Sequence, residues 1–170
     1  QYQTSWADKT LRKLTLREKI AQLMIYRMNM RFKDITPEKW DEILLHISTD
    51  GIGGIHLWYG DASSSITFIN EMQHISKIPI LFDADVEYGL HQRFPSGTDL
   101  PPLMAICATG EPQNAYDVGK IIAEESRAVG VQWNFSPVVD VNNNPANPII
   151  NTRSFGEDPN LVGEFSFFGA

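Results

Sequence analysis

Apolar positions along this chain switch between a helical and a strand spacing, and the switches lay out its elements in order. Thr15-Leu16-Arg17-Glu18 has the form of a capping box heading a short helix, which runs into the apolar Leu23-Met24-Ile25, a first strand. Thr36-Pro37 supplies an N-cap and a first-turn proline for a helix with Trp40, Ile43, Leu44 and Ile47 on one face. Gly51, Gly53 and Gly54 end it, and Ile55-His56-Leu57-Trp58 reads as the second strand. Asp61 caps a third helix bearing Ile66, Ile69, Met72 and Ile75, before a buried strand at Ile78-Pro79-Ile80-Leu81-Phe82. Its proline falls near the strand's start, where a missing N–H costs least. A helix from about Pro112 to Val129 presents Tyr116, Val118, Ile121, Ile122 and Ala128, and Gly130 stops it. Val131 to Phe135 alternates like a half-buried fourth strand, and Asp158-Pro159 opens a last helix running to Ala170.

Strands alternating with amphipathic helices, each connection long enough for a crossover, require a parallel sheet. The count is four strand-helix units. A (β/α)8 barrel of the TIM type needs eight units and about 250 residues. The pattern therefore predicts an α/β fold of that type with half its units present, truncated in the fourth helix. Neither an internal repeat nor a linker divides the chain, so residues 1–170 read as a single domain.

Composition narrows the partners. A formal net charge of −7 argues against nucleic acid and against anionic membrane surfaces. No run of residues approaches the roughly 20 apolar positions that span a bilayer. The single cysteine, Cys107, excludes an intrachain disulfide framework and a cysteine-based zinc cluster, and its neighbours Ile106 and Ala108 make it read as a small buried core residue. The start at Gln1-Tyr2-Gln3, without methionine, suits a processed N-terminus, and export to the periplasm or beyond is the expectation over a cytoplasmic home.

In a parallel barrel, chemistry gathers at the C-terminal ends of the strands. Those ends are Tyr26-Arg27, Trp58-Tyr59, Asp83-Ala84-Asp85 and Val139-Asp140. After the last comes a proline-pinned loop carrying Asn142, Asn143, Asn144, Asn147, Asn151 and Arg153. A loop this long without periodicity is more often functional than idle. Its amides, carboxylate and guanidinium suit a partner covered in hydroxyls, and sugar is the first reading. Asp83, Asp85 and Glu87 stand at i, i+2 and i+4. Two of them could form the carboxyl pair, about 5–9 Å apart, that glycoside hydrolysis needs. Equally, they could cap the following turn and pair with arginines.

Three ordered segments carry a resemblance. GVQWNFS followed by PVVDVNNNPANPIINTRSFGEDP, Pro137 to Pro159, resembles the end of the fourth strand-helix unit of family 3 glycoside hydrolases, nearest to the bacterial β-N-acetylhexosaminidase branch. IPILFDADVEYGLHQRF, Ile78 to Phe94, is similar to that family's Asp-x-Glu-x-Gly…Gln-Arg-Phe segment, and LTLREKIAQLM, Leu14 to Met24, to its first helix and strand.

The resemblance implies that Asp85 binds sugar hydroxyls rather than attacking carbon, and that Arg93 and Arg153 are sugar-binding positions. The bland alternative for both arginines is a structural salt bridge. The family usually has Gly-Gly where this chain has Tyr88-Gly89, which puts the local turn and subsite width in question. The family's general acid/base and nucleophile lie after the fourth helix, so no catalytic group is expected within these residues. The resemblance also implies retaining hydrolysis of terminal β-linked N-acetylglucosamine, with neither metal nor organic cofactor. Rivals are a β-glucosidase or xylosidase of the same family, or a non-catalytic sugar-binding half-barrel. His46 and His74 read as helix surface or packing residues and His91 as a loop residue. A half-barrel leaves open edges, with Phe82 and Phe135 as lining residues lacking an opposite layer. Self-association, or pairing with the missing half, is the expectation.

Overall fold

The computed structural model describes residues 5–170 apart from 32 and 34, so Gln1-Tyr2-Gln3, which carry the export expectation, lie outside the described residues. Its centre is a four-stranded sheet in the order β1 (Ile25–Met30), β2 (Gly54–Gly60), β3 (Leu81–Ala84), β4 (Trp133–Asn134), every neighbouring pair parallel. Helices α1 (Trp6–Lys13) and α2 (Leu16–Ala21) precede β1, α3 (Pro37–Leu45) joins β1 to β2, and α4 (Ala62–Ile75) joins β2 to β3. The short α5 (Leu103–Cys107) and long α6 (Pro112–Ala128) lead to β4, and α7 (Pro159–Gly169) follows it. This is the α/β arrangement of a (β/α)8 barrel with four of its strand positions filled. None of its described helices is long and apolar enough to cross a membrane.

β2 covers its apolar run, whereas β1 and β3 sit later than theirs suggest. Leu23 and Met24 form an exposed turn, and β1 is the mixed stretch after them. Ile80 belongs to the approach to β3, where Gln73 of α4 donates to its carbonyl at 2.7 Å and accepts its N–H at 3.0 Å. β4 is shorter than its alternation, yet Gln132 N–H donates to Phe82 O at 2.9 Å and Phe135 N–H to Ala84 O at 3.1 Å on either side of it. The reason is common to these three. A strand with one face on helices and the other on a chemical site alternates, so an apolar run marks its approach rather than its body.

That alternation splits the sheet into two faces. Ile55, Leu57, Phe82, Ala84 and Val86 point to the helix side and pack with Ile43, Ile47, Phe68, Ile69 and Met72. Phe82, expected to line the barrel, is fully buried on this helix side, its ring meeting Phe68 edge to face with centroids 6.5 Å apart. Period two puts it opposite Asp83. Phe135 does face the inner side, 41% exposed.

A second, smaller core joins α5, α6 and α7 through Leu103, Ile106, Ala115, Phe155, Val162 and Phe165. Cys107 lies at its edge, half-buried rather than in the core, and its burial raises the thiol pKa. The pattern missed α1, capped reciprocally by Ser5 and Asp8, and α5. His46 begins a π turn after α3 and meets Asp50 at 2.9 Å, and His74 is exposed on α4.

Candidate active site

Register across the sheet stacks the inner side chains in rows. Ile25, Gly54 and Leu81 are paired partners and form an apolar lower row. Arg27, His56, Asp83 and Trp133 are partners one step along and form a charged row. Two residues further along β2, β3 and β4 stand Trp58, Asp85 and Phe135, at the C-terminal ends where barrel sites lie. The inner wall therefore grades from apolar to ionic to aromatic toward the rim.

The segment after β3 is held by side chains that act as surrogate backbone. Asn134 accepts the Val86 N–H at 2.8 Å and donates to Val86 O at 2.9 Å, which fixes Asp85 and Glu87 on either side. Gln92 accepts the Glu87 N–H at 2.7 Å. Gly89 has φ +102, a conformation open to glycine, and from it the chain enters the single 3₁₀ turn Leu90–Gln92. Gly60 N–H then donates to Arg93 O at 3.0 Å, tying that turn to the end of β2. Tyr59, at φ +67, makes the sharp exit there.

These constraints place the chosen residues. Arg93 is buried, its Nη2 is 3.3 Å from Asp85 Oδ2, and its Cζ lies 3.9 Å from the Trp58 ring centroid. Arg27 approaches the same indole at 4.0 Å. Two planar cations this near one centroid must take opposite faces, so Trp58 is gripped between them. Arg153 forks onto Glu87, Nε donating to Oε2 at 2.8 Å and Nη2 to Oε1 at 2.7 Å, while Nη1 donates to Ile149 O at 3.1 Å. The Glu87 carboxylate raises the Arg153 pKa above its already high ordinary value. The buried Ser154 hydroxyl donates to Asp140 O at 2.5 Å, so the loop carrying Arg153 is pinned at its base.

Asp85, Arg93 and Arg153 line one cleft of about 910 Å³ with Glu87, Trp58 and Phe135. Its wall offers carboxylate acceptors, two planar cations and three aromatic rings, that of Tyr88 included. That set can hold vicinal hydroxyls by paired hydrogen bonds and cover the apolar face of a pyranose. Tyr88, at the departure from Gly-Gly, also lines it. The asparagine-rich loop contributes less than its composition suggests. Asn144 and Asn147 spend their side-chain oxygens on the N–H groups of Ala146 and Ile149, at 3.0 and 2.9 Å, so they build turns. Asp140 is exposed and outside the cleft lining. His91, read as a loop residue, sits in the 3₁₀ turn, its Nδ1 2.9 Å from Pro95 O.

Sequence reasoning passed over His56, whose Nδ1 is 2.5 Å from the buried Asp83 and whose Nε2 is 3.6 Å from Asp85. Its alternation with Trp58 on β2 was the available signal. Among the described residues no group of His, Cys, Asp and Glu is arranged to hold a metal ion.

The family described as "Glycosyl hydrolase family 3 N terminal domain" matches residues 15–167. A β-N-acetylglucosaminidase/β-glucosidase of Cellulomonas fimi is 32% identical over 159 residues, covering 93% of this chain and 27% of that protein. β-Hexosaminidase A of Pseudoalteromonas piscicida is 35% identical over 129 residues, 68% of this chain and 22% of that protein. The chain thus spans about a quarter of the length of these two relatives. Among solved structures, a family 3 β-N-acetylglucosaminidase from Paenibacillus sp. str. FPU-7 superposes with a TM-score of 0.79 at 32% identity, covering 92% of this chain and 30% of that one. The β-glucoside phosphorylase BglX bound to 2FGlc does so with a TM-score of 0.82 at 28% identity, over 96% and 29%. A match that runs through all four strand-helix units leads to one assignment: this chain belongs to glycoside hydrolase family 3.

Proposed function

We propose that this chain is the N-terminal half of the catalytic barrel of a retaining β-N-acetylhexosaminidase, and that it supplies much of the sugar-binding wall. The observation that carries the reading is the single cleft in which Asp85, Arg93 and Arg153 meet beside Trp58 and Phe135. Asp85 accepts hydroxyl hydrogens, with Arg93 holding its charge in place. Arg153, with two N–H groups left after its bonds to Glu87 and Ile149, donates to the sugar from the opposite wall. The substrate class follows the names of the relatives, β-N-acetylglucosaminidase and β-hexosaminidase. Retention through a glycosyl-enzyme, with acid/base and nucleophile outside these 170 residues, follows the family resemblance.

A second reading, hydrolysis of β-glucosides, has support in the double name of the Cellulomonas fimi relative. Nitrophenol release by the full-length protein from matched N-acetyl-β-glucosaminide and β-glucoside substrates tests both. A higher kcat/KM on the acetylated sugar is the expected result, and a preference for glucoside overturns the first reading.

A further inference from the structure

We infer that His56 is a positioning residue for Asp85, acting in a chain Asp83–His56–Asp85 beneath the sugar-binding cleft. The inference rests on the reading of Asp85 as a sugar-hydroxyl acceptor.

Asp83 is fully buried, and the His56 ring is the partner of one of its oxygens, at 2.5 Å. Its other oxygen, Oδ2, has no hydrogen-bond partner among the described residues. A buried carboxylate satisfied on one side is costly, and an apolar side chain of similar size is the cheaper filling for a barrel interior. Leu81, one row below on the same face of β3, shows that filling in place. Stability therefore gives no reason for this pair, and geometry supplies another.

With Nδ1–H committed to Asp83, the ring is fixed in its plane and Nε2 is directed at Asp85 Oδ2, 3.6 Å away. Phe135 stacks on the ring at 6.0 Å with 20° between planes and Trp58 lies 5.8 Å away, so two aromatics from β2 and β4 limit its rotation. Arg93 approaches the same Asp85 oxygen at 3.3 Å. Arg93 thus holds Oδ2 while Nε2 faces the same oxygen, and Oδ1 is left as the oxygen presented to a hydroxyl. The approach of Nε2 is attractive when that nitrogen bears a hydrogen and repulsive when it presents a lone pair. Asp83 and Asp85 from β3, and Arg27 from the paired position on β1, are the charges facing the ring, with Arg93 beyond Asp85. The neighbours from β4, Trp133 and Phe135, are uncharged. Sugar binding should consequently depend on the proton count of His56.

The test uses the full-length protein and a nitrophenyl N-acetyl-β-glucosaminide from about pH 5 to 8, where imidazoles ordinarily titrate. Expected for His56→Gln is a KM raised about tenfold, the effect of one charge-assisted contact. kcat should change much less, and the KM–pH profile should flatten. Asp83→Asn, which keeps an acceptor for Nδ1–H but removes the charge, should shift that profile without abolishing it. Unmodified protein supplies a readout independent of variant folding: the His56 ring nitrogens should move in the NMR spectrum when N-acetylglucosamine saturates the cleft. Ring signals that ignore the sugar, or an unchanged KM profile in folded His56→Gln, overturn the inference while leaving the proposed function standing. Absence of any binding of this sugar by the unmodified protein overturns both.

Discussion

Arg153 meets Glu87 through two nearly parallel hydrogen bonds of 2.8 and 2.7 Å, joining the segment after β3 to the loop after β4 across 66 residues of sequence. Glu87 is buried while the Arg153 side chain is 41% exposed, so the carboxylate anchors and the guanidinium reaches outward. The two readings of Arg153, salt bridge and ligand contact, are therefore compatible. A guanidinium has five N–H donors in a fixed fork, and three are engaged here. Both residues line the cleft, and two guanidinium donors there are left without a bond to Glu87 or Ile149.

Arg153→Ala in the full-length protein should weaken binding of the sugar by roughly 1.5–3 kcal/mol, the range for hydrogen bonds to charged groups. The same change should also lower stability, because it leaves Glu87 buried without its cation. The double variant Arg153→Ala with Glu87→Gln should recover stability but not affinity. Calorimetric titration with N-acetylglucosamine alongside urea unfolding separates the two, and recovery of affinity in the double variant would remove Arg153 from the binding wall.

Phe82→Ala should cost about 3–5 kcal/mol, because it empties a fully buried position between the sheet and Phe68. Phe135→Ala should cost far less stability, since its ring is partly exposed and packs mainly on His56 and Trp133. Its loss should appear instead in sugar affinity. Equal destabilisation by the two would contradict the assignment of opposite sheet faces.

Legibility of the fold followed how local each signal was. Thr15, Thr36 and Asp61 each cap the helix that its spacing announces, because a cap is decided within four residues. The parallel sheet was readable because each connection is long enough for a crossover. The strand limits were not, since Leu23-Met24 and Ile78 resemble strand as much as approach, and only the pairing partners decide. In the site, Asp85, Arg93 and Arg153 stood in motifs and could be chosen one by one. His56 could not, for its role depends on Asp83 and Asp85, 27 and 29 positions away and adjacent only through the register of β2 on β3.

Gly89→Ala should lower stability by about 1–3 kcal/mol and loosen the Asp85–Arg93 contact. A Cβ there would stand 2.1 Å from Thr98 O at a φ of +102. Thr98 is itself held by Glu125 of α6, through its N–H at 3.0 Å and through its hydroxyl, so it yields poorly. The turn must shift instead, and with it Arg93. Thermal unfolding and sugar affinity should fall together, and a fall in neither would show that the turn is not under this constraint.

Asp61 and Glu18 cap their helices as carboxylates, so both caps weaken in acid. Ser64 first, and then Ser63, hold the Asp61 carboxyl at the head of α4 below its usual pKa by hydrogen bonding, and the Thr15 backbone does the same for Glu18 at α2. A folded pKa below the unfolded one contributes stability that is present above the unfolded value, about 4, and is lost as pH falls through the lowered one. Urea midpoints should therefore be insensitive to these groups above about pH 5 and decline below 4. Asp61→Asn keeps an acceptor for the cap without the titration, so its decline should be shallower. An identical slope would sink the assignment.

The 170-residue chain, isolated, should be inactive and should associate. On the inner face Ile25, Leu81 and Trp133 are 42%, 38% and 44% exposed, and Phe135 adjoins them. These are strand positions that a closed barrel covers with the opposite layer. Among the described residues β1 and β4 are the sheet's edges, each paired with a strand on one side only. Apolar lining beside open edges favours contact with a second copy or with the complementary half of the barrel. The catalytic acid/base and nucleophile, placed after the fourth helix by the family resemblance, should be missing from the chain, so hydrolysis of an N-acetylglucosaminide should match blank buffer. Light scattering should give a mass above one chain at micromolar concentration, and covering the inner face with the remaining strands should restore both a single mass and turnover. A monodisperse monomer would refute the association, and clear turnover by the purified chain would bring Asp85, Glu87 and Asp140 forward as catalytic carboxylates.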